Sequence, residues 1–424
     1  MAADGRDLDA VAGRVAAELL ARSHLAAPDQ LTDVLAETAR PLDVSAARIY
    51  LADLQQRYLR ALPASSGQPP EALAIDSTMA GRTYQTIRVH TGPADGGQSG
   101  YRAWIPLVDG TERLGVLELQ VADVSEAMLA RYRMLASAAG LMIVSKGVYS
   151  DTYSQLRRSR EMALQAELVW AFLAPRTFAT ERVLLAATLE PAYDVGGDAF
   201  DYSLIGDRLH VSIFDAAGHD LASGLLASVA MASCRSTRRS GGTLQDIVTR
   251  ADHAISRQFG HSRFVTGLLC DLDVATGQFS WIPCGHPAPL LIRGNKVVKE
   301  LTRPPHLPLG LADIDTLTGH RACREQLPNS DYPPAYSERL EPGDWVLLYT
   351  DGVTEGRAAD GSHFGIERLS DFIIRHIQAG TPTPETLRRL TRAIIEYQHG
   401  RLSDDATIML IEWMPDNLHQ KVAP

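Results

Sequence analysis

Apolar positions return along the chain at two spacings. From Val11 to Leu25 they recur at three- and four-residue steps, with Gly13 as the one weak point and Pro28 just beyond, which predicts a helix. A second short helix is expected over Leu31 to Thr38. The pattern then turns to alternation. Ala47 to Leu51, Tyr101 to Leu107 and Arg113 to Gln120 read as strands, the last two joined by a turn at Asp109-Gly110. Leu73 to Ser99, richer in glycine and polar residues, reads as loops with one short helix. Ala127 to Val144 is helical again and closes an α+β domain over residues 1–148.

Residues 149–178 read as a helical linker, with one helix from Tyr153 to Leu173. Leu164, Leu168 and Phe172 lie four apart on one stripe, Met162 and Val169 widen it, and Pro175 stops it. The stripe is too short to demand a coiled coil. It suits either a helix packed on its own domain or a signalling helix paired across a dimer. Over 179–415, strands are expected at Arg208 to Phe214, Val265 to Asp273, Gln278 to Pro283, Ala288 to Arg293, Asp344 to Thr350 and Ala406 to Trp413. Helices are expected at Leu221 to Ser233, Leu244 to Phe259, Ile366 to His376 and Pro384 to Tyr397. That order suggests a sheet core with helices on its outer faces. Leu311 to Glu338 has no regular period and reads as a long surface loop, and 416–424 as a tail.

Composition narrows the class. The chain has 424 residues, 45% hydrophobic and 22% charged, as globular domains do. A net charge of −10 argues against a nucleic-acid partner. No run of eighteen apolar residues occurs and MAADGRDLD carries no secretory pattern, so neither membrane span nor export is expected. Cys234, Cys270, Cys284 and Cys323 share no close spacing, which suits a reducing, cytoplasmic setting rather than a disulfide framework or a thiolate zinc site.

The candidate chemistry lies in acids at strand ends. Asp198 follows Gly196-Gly197, with Asp201 three residues on. Asp215 ends RLHVSIF, Asp351 ends DWVLLYT before Gly352, and Asp404 and Asp405 precede ATIMLIEW. Each alone reads equally as a turn or a solvated strand end. Together they are four segments that present carboxylates at the edge of buried sheet, with no lysine in any of them. Gathered carboxylates need a counter-charge. A hard divalent cation supplies it, and oxygen ligands suit magnesium or manganese. Gly196, Gly197 and Gly218 would let backbone approach closely. Read from the residues alone, this is an acidic divalent-metal site, and it favours phosphoryl or other metal-assisted hydrolysis.

The ordered blocks VGGDAFDY, FDAAGHDLASGLLAS, FVTGLLCDLDVATGQFSWIPCGHPAPLLI, LPLG, LEPGDWVLLYTDGVTE and LSDDATIMLIEW resemble the bacterial phosphatases of the PPM/PP2C superfamily. They are most similar to the SpoIIE and RsbU type that regulates sigma-factor partner switching. The resemblance implies an α+β chain whose C-terminal part is a PP2C-like αββα sandwich. It implies two Mn2+ or Mg2+ ions held by Asp198, Asp215, the Ala216 carbonyl, Asp351 and Asp404, with Asp198 and Asp215 central to catalysis. Gly197, Asp220, Gly352 and Asp405 are secondary candidates, and Thr407 supports backbone geometry. The implied reaction is hydrolysis of a phosphoserine or phosphothreonine by in-line attack of water, without a covalent phosphoenzyme. The implied substrate is a phosphorylated anti-sigma factor antagonist of the STAS type or a similar phosphoprotein. A non-catalytic scaffold or a phosphatase for an unrelated phosphoprotein stays open.

Two departures stand out. Asp220 occupies a position where the family commonly has glycine; it reads as a helix N-cap or as an extra acid near the metals. The Leu311 to Glu338 insert reads as a specificity element or an inert loop. His219 and His286 read as structural. YRAWIPLVDGTERLGVLELQ resembles the strand-hairpin block of GAF sensor domains, which implies a homodimer and either an unknown small-molecule ligand or dimerisation alone.

Overall fold

The computed structural model describes residues 2–63, 71–94, 99–311, 335–358, 360–400 and 402–415, with side chains from residue 9 onward. The 312–334 part of the predicted insert, Cys323 and the tail from 416 lie outside the described residues. Two compact units divide between Arg160 and Glu161.

The first unit contains α1 (Ala2–Ser23), α2 (Leu31–Thr38), β1 (Val44–Ala52), β2 (Tyr58–Ala61), β3 (Ala72–Ala74), α3 (Met79–Thr86), β4 (His90–Pro93), β5 (Tyr101–Asp109), β6 (Glu112–Val121), α4 (Glu126–Gly147) and α5 (Thr152–Arg157). The strands pair antiparallel in the order β3-β2-β1-β6-β5-β4. Alternation along β1 divides its side chains between two cores. Ile49 and Leu51 pack with Leu19, Leu31, Leu117 and Leu135 from the helices and β6. Tyr50 and Ala52 pack with Leu59, Ile75, Tyr84 and Val116 on the α3 side. Helix α4 is long and apolar enough to cross a membrane by length and composition. Its Tyr132, Leu135 and Ala139 are core residues of this unit. Near its end the buried Lys146 donates to the carbonyls of Ser23 and Ala26 at 2.6 and 2.7 Å, a cation placed at the C-terminal end of α1.

The second unit contains α6 (Leu164–Phe172), β7 (Thr177–Ala179), β8 (Val183–Glu190), β9 (Asp198–Ile205), β10 (Arg208–Ala216), α7 (Leu221–Arg239), α8 (Leu244–Phe259), β11 (Val265–Asp273), β12 (Gln278–Cys284), β13 (Leu290–Arg293), β14 (Lys296–Glu300), β15 (Tyr336–Arg339), β16 (Asp344–Tyr349), α9 (Asp351–Thr354), α10 (Gly365–Gln378), α11 (Thr383–Tyr397) and β17 (Ala406–Trp413). Among the described residues the strands form two antiparallel sheets, β15-β12-β11-β10-β9 and β14-β13-β16-β17-β8-β7. Helices α7 and α8 lie on the first sheet. The outer face of the second packs Leu347, Ile408 and Leu410 against Leu369, Ile373, Leu387 and Leu390 of α10 and α11. Every residue of β8, β16 and β17 is buried, because helices cover one face and the other sheet covers the other. The result is a four-layer αββα arrangement.

The predicted continuous helix from Tyr153 to Leu173 is two short ones, α5 and α6, with 158–163 between them outside any helix. The reason lies in tertiary bonds that compete with helical ones. The Leu54 N–H donates to the Arg157 carbonyl and Arg157 Nε to the Ala52 carbonyl in the first unit, whereas the Ala163 N–H donates to the Tyr193 carbonyl in the second.

Leu410 is fully buried in the middle of β17. Leu410→Ala is expected to lower the stability of the second unit by about 2–5 kcal/mol, measured by urea denaturation of the full chain.

Candidate metal centre

The acids named from sequence meet where the ends of the two sheets come together. Asp198 opens β9, and Asp215 stands directly opposite it in the β9–β10 ladder, so both carboxylates leave the same face at the same end. β16 and β17 are neighbours in the other sheet. Asp351 follows the end of β16, and Asp404 and Asp405 precede the start of β17.

Asp198 joins the two sheets. Its Oδ2 accepts the hydroxyls of Thr350 and Thr407 at 2.8 and 2.7 Å, both from the β16–β17 side. The Thr407 N–H also donates to the Thr350 hydroxyl at 2.9 Å. Oδ1 of Asp198 carries no hydrogen bond among the described residues. Asp405 makes the reciprocal link: its Oδ2 accepts the amides of Gly196, Gly197 and Asp198 at 2.7, 2.8 and 3.3 Å. Glycine is required in this loop. A Cβ on Gly197 would collide with the Ala216 carbonyl oxygen, and one on Gly196 would lie 2.5 Å from the His219 Cα. Gly352 abuts the Asp405 carbonyl in the same way. These contacts bring Gly197, Ala216, Gly352 and Asp405 around the acids.

The electrostatics are unfavourable for carboxylates alone. Burial, then Asp405 and Asp215, push Asp198 well above the usual carboxylate range. Burial, then Asp351, Asp404 and Asp405, push Asp215 up to about 7. Burial followed by Asp404 raises Asp351, and burial raises Asp405 against the pull of its three amides. Asp201, three residues along the same strand, shows what a compensated buried acid looks like. Arg235 donates to it at 2.7 Å, and Arg238 donates with both terminal nitrogens at 3.1 Å. Asp201 therefore ties β9 to α7 and takes no part in the acidic centre.

The donor set fits a hydrated divalent ion. Its free oxygens are hard, anionic and short of positive charge. Among the described residues no group of three or more His, Cys, Asp or Glu side chains is placed as a cage that could hold a metal ion. An ion that keeps several of its own waters, as Mg2+ does, requires no such cage.

Asp220 caps α7. Its Oδ1 accepts from the Ser223 amide at 3.0 Å and from the Ser223 hydroxyl at 2.8 Å, and Arg263 grips both carboxylate oxygens at 2.9 and 2.8 Å. Those bonds occupy the carboxylate, which they hold far below its ordinary pKa. Exposed His219 sits on the turn against Gly196. His286 is buried and pushed down to about 3, so it is neutral near pH 7, and its Nδ1 pairs with the Thr266 hydroxyl at 3.0 Å. Sequence reasoning missed Thr350 and Arg263. Thr350 adjoins Asp351, and that adjacency was the one signal of its role.

Residues 205–414 match the family model of stage II sporulation protein E, SpoIIE. These residues lie in the second unit. The chain is 21% identical over 254 residues to phosphoserine phosphatase RsbU of Bacillus subtilis, covering 59% of this chain and 69% of RsbU. It is 24% identical over 254 residues to protein IcfG of Synechocystis sp., covering 53% of this chain but only 37% of IcfG. Among solved structures, the RsbU and RsbW domains of Rv1364c from Mycobacterium tuberculosis align with a TM-score of 0.45 at 22% identity, covering 57% of this chain and 63% of that one. The SiaA-PP2C domain of Pseudomonas aeruginosa aligns with a TM-score of 0.44 at 21% identity, covering 54% and 85%.

The raised acids predict a pH dependence. Asp215 titrates near 7 in the fold against 3.8 in an unperturbed chain, so the folded state binds this proton more tightly. The resulting stabilisation is present at low pH and is lost as pH rises from about 4 through about 7. Metal-free protein is expected to melt at a lower temperature at about pH 8 than at about pH 5, and Asp215→Asn to flatten that slope, as read by calorimetric melting.

Proposed function

We propose that this protein is a metal-dependent serine/threonine phosphatase that removes phosphate from a phosphoserine on a regulatory protein. The observation that carries the reading is the convergence of Asp198, Asp215, Asp351 and Asp404, from four separate segments, into one undercompensated acidic centre. In this reading those four side chains and the Ala216 carbonyl hold two Mn2+ or Mg2+ ions. Such ions, when bound, acidify an attacking water and screen the phosphoryl oxygens. The chain's own residues orient the set. Thr350 and Thr407 occupy one oxygen of Asp198 and so aim the other, while Asp405 fixes the glycine loop by its amides. Buried neutral His286 is not a proton source near neutral pH.

In the same proposal the substrate is a phosphorylated anti-sigma factor antagonist of the STAS type, and the protein works as a cytoplasmic homodimer. The first unit acts as a GAF-like sensor that binds a small molecule or serves dimerisation alone; its antiparallel sheet with helices on both faces supports that reading. Control would reach the centre through α6 and α7. Gly224 of α7 lies so close to Gln165 of α6 that a Cβ would stand 2.9 Å from the Gln165 Cβ. The N-cap of α7, Asp220, closes the turn that begins at Asp215. A displacement of α6 therefore bears on the helix that follows the Asp215 turn.

Wild type is expected to hydrolyse a phosphoserine protein in a Mn2+-dependent manner. Asp215→Asn should reduce turnover about a hundred-fold or more while circular dichroism stays unchanged. A folded wild type without turnover in any divalent metal would instead favour a non-catalytic scaffold.

A further inference from the structure

Gln398 caps the C-terminus of α11 and is buried. Its Oε1 accepts two bonds from one residue, the Ser403 amide at 2.9 Å and the Ser403 hydroxyl at 3.1 Å. The amide can only donate, so it fixes which end of the carboxamide is the oxygen. Ser403 immediately precedes Asp404. The nitrogen end points to the other acidic loop: a Cβ on Gly356, in the segment after α9, would collide with Nε2. Nε2 is buried with no hydrogen-bond partner among the described residues. A carboxamide with one end satisfied twice and the other left bare is costly to keep unless its placement serves something else.

The segments it touches run directly on from Asp351 in α9 and directly into Asp404. They meet a second time at Gly352, where a Cβ would lie 3.2 Å from the Asp404 Cβ. The two acids are thus braced on both sides of the contact. Gly352 makes the near brace through backbone, and Gln398 makes the far one through its side chain.

We propose that Gln398 is a positioning residue for the divalent-cation centre: by holding Ser403 against the segment after Asp351, it sets where Asp404 stands and so how tightly the cation binds. Gln398 itself reaches no cation. The inference rests on the metal reading above and extends it to a residue outside the acidic blocks. Groups that orient metal ligands are typically worth about 10–100-fold in metal affinity.

The test uses the full chain and two readouts, Mn2+ titration by calorimetry and hydrogen exchange of the Ser403 amide without metal. Gln398→Met keeps the side-chain length and removes the acceptor; Gln398→Glu keeps the acceptor. Expected are about a ten-fold weaker Mn2+ affinity and faster Ser403 exchange in Gln398→Met, with both near wild type in Gln398→Glu. Should Gln398→Met not fold, Ser403→Ala removes the hydroxyl bond alone and should give a smaller loss in the same direction. Wild-type Mn2+ affinity in folded Gln398→Met, or equal weakening in both Gln398 variants, overturns the proposal in favour of a packing role. Wild type that takes up no Mn2+ overturns the metal reading and this proposal with it. Unchanged Ser403 exchange in Gln398→Met overturns the brace alone.

Discussion

Asp198 is buried at the seam between two sheets, and hydroxyls from the opposite sheet share one of its oxygens. Much of the surrounding architecture follows from keeping that carboxylate there. Desolvation and neighbouring acids both oppose its charge. Three features answer them: neutral hydroxyl donors on Asp198, backbone amides on Asp405, and glycines that let the two loops touch. Each stabilises the geometry of the acids without supplying a formal positive charge. The electrostatic demand therefore persists after the local chain is satisfied, as it does not in a buried salt bridge. Asp201 is the internal comparison, because two arginines meet its charge and leave it nothing further to bind.

Rigidity at the centre is unevenly distributed. Asp198 and Asp215 are fixed by a ladder of paired strands. Asp351 opens the short helix α9 and Asp404 stands just before β17, and the two segments touch at Gly352. Loops carry function because a rigid scaffold can aim them. Here Asp198 and Asp215 belong to the sheet, and Asp351 and Asp404 are presented from segments beyond the strand ends.

The sequence made the acidic segments legible because each follows or precedes a strong apolar run, as Asp215 follows RLHVSIF. The helices α8, α10 and α11 were legible for the same reason, a one-sided stripe. β8 was not, because VLLAATLE is buried on both faces and shows no alternation. β14 escaped for the opposite reason: all five of its residues are exposed. The linker was read as one helix from the stripe over Met162 to Phe172, but the polar residues 158–161 carry no stripe and backbone bonds to each unit end the helix there. Roles such as those of Thr350 and Arg263 depend on contacts across long stretches of chain, which no local pattern encodes. Asp220 was readable as a cap from the helix that follows it, but its arginine partner lies 43 residues away.

The bond from Thr407 to Asp198 closes across 209 residues, and Thr407 lies in the last strand of the fold. During synthesis the ladder that carries Asp198 and Asp215 leaves the ribosome long before the hydroxyl that orients Asp198. A chain cut short before Asp404 lacks both that hydroxyl and the acids Asp404 and Asp405. Such a fragment holds at most Asp198, Asp215 and Asp351, so the full acidic set comes together only once the last strand is in place.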